Sequence, residues 1–190
     1  MSARERILDA AATVLRERGL ARATTKEIAR AAGCSEALLY KHFADKQELF
    51  LGVLHERAPR LDGPDDVART AGTGTVSENL TDLVRRLLAF YAQSFPMAAS
   101  ILGSPELLAA HRAGVRRLGA GPAEPALRLQ AYLDAEAARG RLPDDVDTAA
   151  TARTLAGAAL FEAFLATYEG SAGVPEPEER ARTIVASVRL

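Results

Sequence analysis

Apolar residues recur at three- and four-residue spacing along most of the chain, the repeat of an amphipathic helix. Between residues 4 and 18, Ile7, Leu8, Ala11, Val14 and Leu15 share a face among arginines and acids, and Gly19 follows as a stop. This predicts a first helix. Thr24-Thr25-Lys26-Glu27 has the form of a capping box, in which Thr24 accepts from the Glu27 amide while the carboxylate reaches back. Ile28, Ala29 and Ala32 supply the stripe of a short second helix ending near Gly33. Ser35 is placed to cap a third helix running to Phe43, with Leu39 and Phe43 on one face. Asp45 and Glu48 repeat the capping pattern before Leu49, Phe50, Val53 and Leu54, where a fourth begins.

From Ala58 to Ser77 the text changes to APRLDGPDDVARTAGTGTVS, rich in Pro, Gly, Asp and Thr, and a domain boundary is expected within it. Beyond it Leu80, Leu83, Val84, Leu87, Leu88 and Tyr91 form a strong amphipathic helix expected to bend or stop near Pro96. Ser104-Pro105-Glu106 opens another through His111. Residues 124–139 and 147–168 hold two more, and Pro177-Glu178-Glu179 opens the last. No strand signal and no repeat is present, so the fold class is all-α. The division expected is residues 1–50, a connecting helix and linker over 51–76, and a helical domain over 77–190.

Composition agrees with that picture and narrows the class. At 190 residues, 48% hydrophobic and 26% charged with a mean hydropathy of -0.05, the chain has an ordinary globular balance and is not disordered throughout. The single cysteine, Cys34, excludes an intrachain disulfide, and with His42, His55 and His111 it shows no zinc-like spacing; neither metal nor cofactor is expected. MSARERILDA carries charge where a signal peptide is apolar, and Thr154–Tyr168, interrupted by Glu162, is too short to span a bilayer. A cytoplasmic location, away from membranes, is the expectation. Charge divides unevenly: residues 1–60 hold 11 Lys+Arg against 8 Asp+Glu, and all three lysines, Lys26, Lys41 and Lys46, fall there. That asymmetry hints at a polyanion partner, and the motif must carry the case.

Two short helices separated by a turn at Gly33-Cys34 and braced by an amphipathic first helix meet the requirements of a helix-turn-helix. The run Thr24-Thr25-Lys26-Glu27-Ile28-Ala29, Ala32-Gly33-Cys34-Ser35, Leu39-Tyr40-Lys41-His42-Phe43 and Asp45-Lys46-Gln47-Glu48-Leu49 closely resembles the TetR family of one-component transcriptional regulators. The match covers roughly the first third of the chain. The resemblance implies that Thr25, Tyr40, His42 and Lys46 hold the DNA backbone, each offering a donor suited to phosphate oxygens. Base reading then falls to the exposed face of residues 35–41, Ser35, Glu36, Ala37, Leu38, Tyr40 and Lys41, with Lys26 reaching in from the second helix. Lys41 and Lys26 suit guanine, Leu38 a thymine methyl, and the small Ala37 keeps the helix close to the groove. Taken singly, Tyr40 and His42 equally suit packing on the first helix, and Lys41 and Lys46 a solvated face; their joint order favours the interface.

Two positions depart from the family's usual pattern. Cys34 stands where valine is common and is read as a small hydrophobe filling the turn rather than a redox sensor. Glu36 puts a carboxylate where a neutral or basic side chain is more frequent; it suits either acceptance from cytosine N4 or its own helix N-terminus.

In the helix over 147–168, Ala152, Ala156, Gly157, Ala159 and Ala163 let a neighbouring helix approach closely. Here the resemblance implies a homodimer paired through the last two helices, although an intramolecular core would use the same alanines. Two-fold pairing implies a near-palindromic double-stranded DNA operator. Phe90, Tyr91, Gln93, Phe95, Met97, His111, Phe161, Phe164 and Tyr168 are candidates to line an apolar effector pocket, with core packing as the competing reading for each. The function expected is therefore a dimeric repressor released by a small hydrophobic or aromatic effector. The alternative is a helical-bundle binder or enzyme with an incidental helix-turn-helix. No Gly-rich phosphate loop, HExxH or GxSxG appears, and no catalytic residue is expected.

Overall fold

Polar caps decide where the helices begin in the computed structural model, which describes residues 1–57, 70–117 and 121–190. Helix α1 (Ala3–Arg22) opens on a capping box that apolar spacing alone did not signal: Ser2 accepts from the Glu5 amide at 3.2 Å, and the Glu5 carboxylate from the Ser2 amide at 2.6 Å. Its helical dihedrals break at Gly19, φ 71°, where the stop is expected. The expected box follows at Thr24–Glu27 for α2 (Thr25–Ala31), and Ser35 and Asp45 cap α3 (Glu36–His42) and α4 (Lys46–Glu56) by accepting from the Leu38 and Glu48 amides. Helix α5 (Val76–Leu102) begins on a further box between Thr75 and Glu78.

Of the bend or stop expected near Pro96 the stop does not occur, and α5 continues through it to Leu102. Proline removes the amide that would reach the Ala92 carbonyl, a local loss that 27 residues of amphipathic packing override. The remaining elements are α6 (Pro105–Arg117), α7 (Glu124–Ala137), α8 (Thr148–Tyr168) and α9 (Pro177–Ala186). All regular structure among the described residues is helical. The expected linker falls partly on residues 58–69, outside the described residues.

Two compact units form, and they do not follow chain order. One takes Met1–Pro59 with Pro96–Gly121, the other Arg60–Phe95 with Pro122–Leu190. The first buries Ile7, Leu8, Ala11, Leu15, Ile28, Leu39, Phe43, Leu49, Phe50, Val53 and Met97, so the short α2 and α3 are held by α1 and α4. Such short helices are marginal alone and depend on that burial. Arg4–Glu56 and Arg57–Asp9 ion pairs, both 2.6 Å, join α1 to α4 at the surface.

The second unit centres on α7 packed against α8, with Leu80, Val84, Leu88, Leu129, Tyr132, Leu133, Leu155, Ile184 and Val185 in its core. Ala152, Ala156, Ala159 and Ala163 of α8 are buried inside this unit, the use that an intramolecular core makes of small residues. By length and composition α8 could cross a membrane, but its buried alanine face belongs to a protein core. The carboxylate of Glu136 is fully buried there; it accepts from the Gly72 amide at 3.2 Å and pairs with Arg141 at 3.3 Å. Arg141 also donates to the Thr73 and Gly74 carbonyls, so one acid and one guanidinium pin the turn before α5.

Candidate nucleic-acid interface

The turn between α2 and α3 closes by backbone chemistry. Cys34 donates to the Ala29 carbonyl at 2.9 Å and Gly33 to that of Arg30 at 3.2 Å, a Schellman arrangement that places Gly33 at φ 66°. A side chain there would be strained. Cys34 is half-buried and packs on the first unit's core. Ser35 spends its hydroxyl on α3, accepting from the Leu38 amide at 3.2 Å.

Fully buried Leu39 anchors α3 and turns the rest of the helix outward. Glu36, Ala37, Tyr40, Lys41 and His42 are exposed and Leu38 is half-buried. Lys26 is exposed on α2, while the half-buried Lys46 holds its ammonium 5.1 Å from the centre of the Phe50 ring. The structure brings three of the sequence candidates into contact. The Thr25 hydroxyl donates to Glu36 Oε1 at 2.6 Å and lies 3.3 Å from the Tyr40 hydroxyl. Neither reading of Glu36 from sequence foresaw this partner, because Thr25 is eleven residues away across the turn.

The effector candidates divide between the units. Phe90, Tyr91, Gln93, Phe95, Phe161, Phe164 and Tyr168 lie in the second; Met97 and His111 lie in the first. Phe161, Phe164 and Tyr168 project from α8 at 57%, 42% and 81% exposure, with Phe95 edge-on to Phe164, centres 6.0 Å apart. Phe90 and Tyr91 are half-buried, and burial pushes the Tyr91 phenol up to about 12. Gln93 is exposed. Met97 is a core residue of the first unit.

His111 stacks on His55 of α4, ring centres 5.8 Å apart, where Gly114 leaves room: a Cβ there would collide with the His55 ring. Burial, and then His55, hold the His111 imidazole below its ordinary value. In the same unit a groove of about 470 Å³ is lined by Arg4, Phe43, Glu48, His55, Glu56 and Ala110, among others, none of them an effector candidate. His55 had no sequence signal, because only packing sets it against His111.

Family models match most of the chain. Residues 7–53 match the model of bacterial regulatory proteins of the tetR family, and residues 78–190 that of the AefR-like transcriptional repressor C-terminal domain. The chain belongs to the TetR family. That family is one of bacterial regulatory proteins and is not an enzyme family. The HTH-type regulator Rv1255c of Mycobacterium tuberculosis is 33% identical over 97 residues, 51% of this chain and 48% of its own length. The repressor AcnR of Corynebacterium efficiens is 33% identical over 89 residues, 46% and 42% of the two. The chain thus spans about half the length of the curated relatives it matches. Among solved structures, a TetR-family regulator from Mesorhizobium loti shares the fold with a TM-score of 0.74 at 21% identity, covering 97% of this chain and 94% of its own. Bacillus subtilis FadR, solved in complex with stearoyl-CoA, does so with a TM-score of 0.69 at 16% identity, covering 97% and 99%.

Proposed function

We propose that this TetR-family regulator is a dimeric repressor that occupies a near-palindromic operator and leaves it when a small hydrophobic or aromatic effector binds. The observation that carries the DNA half is α3 itself, anchored by Leu39 and outwardly lined with Tyr40, Lys41 and His42. In this reading Thr25, Tyr40, His42 and Lys46 set position on phosphates. Lys26, Lys41, Ala37 and Leu38 face base edges.

Support for the dimer comes from α8. Gly157, Leu160, Phe161, Phe164 and Tyr168 are exposed at helical spacing on the side opposite the buried alanines, an aromatic row that the single chain leaves to solvent. We assign Phe161, Phe164 and Tyr168 to this face in preference to a pocket. Two copies paired there would present two α3 helices to half-sites about 34–36 Å apart, or a multiple of that. Phe90 and Tyr91, half-buried on α5, remain the best placed to meet an effector. The apolar class is supported by these rings and by the acyl chain that FadR, of the same fold, binds.

Selection of duplexes from a random library by the full chain, followed by sequencing, tests the reading. Enrichment of an inverted repeat is the expected result. Released protein on adding acyl-CoA or aromatic compounds to that complex would identify the effector class. Enrichment of a single, unrepeated site would overturn the dimer, and no enrichment would overturn the regulator reading.

A further inference from the structure

The contact between Thr25 and Glu36 has a direction that proton counting fixes. A threonine hydroxyl has one proton, and here it goes to the carboxylate at 2.6 Å. With that proton spent, Thr25 can only accept across the 3.3 Å contact with Tyr40, the phenol donating. The result is a relay, Tyr40 to Thr25 to Glu36, with both hydroxyl protons turned inward. A phosphate approaching Thr25 and Tyr40 in this arrangement meets lone pairs and a carboxylate where it needs donors. Donation by Thr25 to a phosphate therefore requires its bond to Glu36 to break, which leaves a charged acceptor at the start of α3 without its hydroxyl.

We infer that Glu36 is a specificity-determining residue of this regulator, withholding the Thr25 and Tyr40 hydroxyls from phosphate until its carboxylate can accept from a cytosine amino group in the major groove. The inference rests on the DNA-binding reading above and deepens it. The chemistry selects cytosine because its major-groove edge presents the N4 amino group as a donor, whereas guanine presents O6 and N7 and thymine O4, all acceptors that repel a carboxylate. Adenine offers N6 but sets the N7 lone pair beside it. On arbitrary DNA no compensating donor stands at that position, so the relay stays closed and the carboxylate opposes the phosphates. Glu36 thus lowers affinity for all duplexes and returns it to a few. A solvated glutamate pointing away from DNA would do neither.

The test compares full-length wild type with Glu36→Gln and Glu36→Ala, and with Thr25→Val in the wild-type and Glu36→Ala backgrounds, with folding checked by circular dichroism. Each protein is put through duplex selection, then titrated against the selected duplex and an arbitrary one over a range of salt. Wild type is expected to enrich cytosine at one position in each half-site. Glu36→Gln, which keeps an acceptor for Thr25 but adds a donor, should shift that position toward adenine, and Glu36→Ala should lose the preference. Both should bind the arbitrary duplex more tightly, by roughly tenfold, with a salt slope steeper by about 0.9. Thr25→Val should cost more affinity when Glu36 is alanine than in wild type, because only then is its hydroxyl free for phosphate. Selection of the same base by all three Glu36 forms, with no gain on the arbitrary duplex, would overturn the inference and leave the regulator reading standing. Failure of every protein, wild type included, to enrich any duplex would overturn both.

Discussion

Lys41 and Lys46 carry the same charge in different settings, and they should fail differently. Lys46 begins α4 with its ammonium over the Phe50 ring, a fixed cation suited to a phosphate; Lys41 is exposed on α3. Lys46→Ala should weaken binding about equally on all duplexes and reduce the salt slope by about 0.9, whereas Lys41→Ala should change the selected sequence. Equal behaviour of the two variants in salt titration and selection would contradict this division. Glu136 carries stability rather than recognition. Its removal leaves the Gly72 amide without an acceptor and the Arg141 guanidinium without its counter-charge, so Glu136→Ala should cost roughly 2–3 kcal/mol in urea unfolding. A loss below about 0.5 kcal/mol would mean that water replaces the carboxylate.

Between elements, the packing of α4 on α6 carries a titratable joint. Burial and the neighbouring His55 lower the His111 imidazole from 6.5, so below that pH the unfolded chain binds a proton that the folded chain resists. Stability from this group is whole above about pH 6.5 and is lost as pH falls through the lowered folded value. The carboxylates held low by partners, such as Glu56 against Arg4, lose their contribution only below the ordinary carboxylate value of 4.5. Melting temperature should therefore fall between pH 7.5 and 5.5 in wild type. His111→Phe, which keeps a ring against His55 and cannot be protonated, should flatten that fall. An unchanged slope in the variant would place the titration elsewhere.

For the molecule as a whole, the aromatic row of α8 is the surface whose loss should matter most. Phe161→Glu with Phe164→Glu puts two charges on a face that is 57% and 42% exposed in the single chain, so folding should survive while pairing does not. Light scattering should report a monomer, and affinity for an inverted repeat should drop by at least about 100-fold toward that of one half-site. A dimer that persists would place the interface on another face.

Local chemistry was readable from the chain alone. Helix positions follow from apolar spacing and from caps that act within four residues, and the helix-turn-helix with its TetR resemblance lies in one continuous run from Thr24 to Leu49. What depends on distant residues was not. Pro96 reads as a bend or a stop because its effect is local, and α5 continues because packing along 27 residues outweighs one lost bond. The alanines of α8 and the rings Phe161, Phe164 and Tyr168 occupy adjacent positions in sequence, and only the placement of α7 decides which side is core and which is surface. The stacking of His55 on His111 and the donation of Thr25 to Glu36 likewise join residues that no spacing rule relates. Periodicity and capping determine helices because their interactions span a turn; partners, burial and proton direction belong to the tertiary structure because they require two segments to meet.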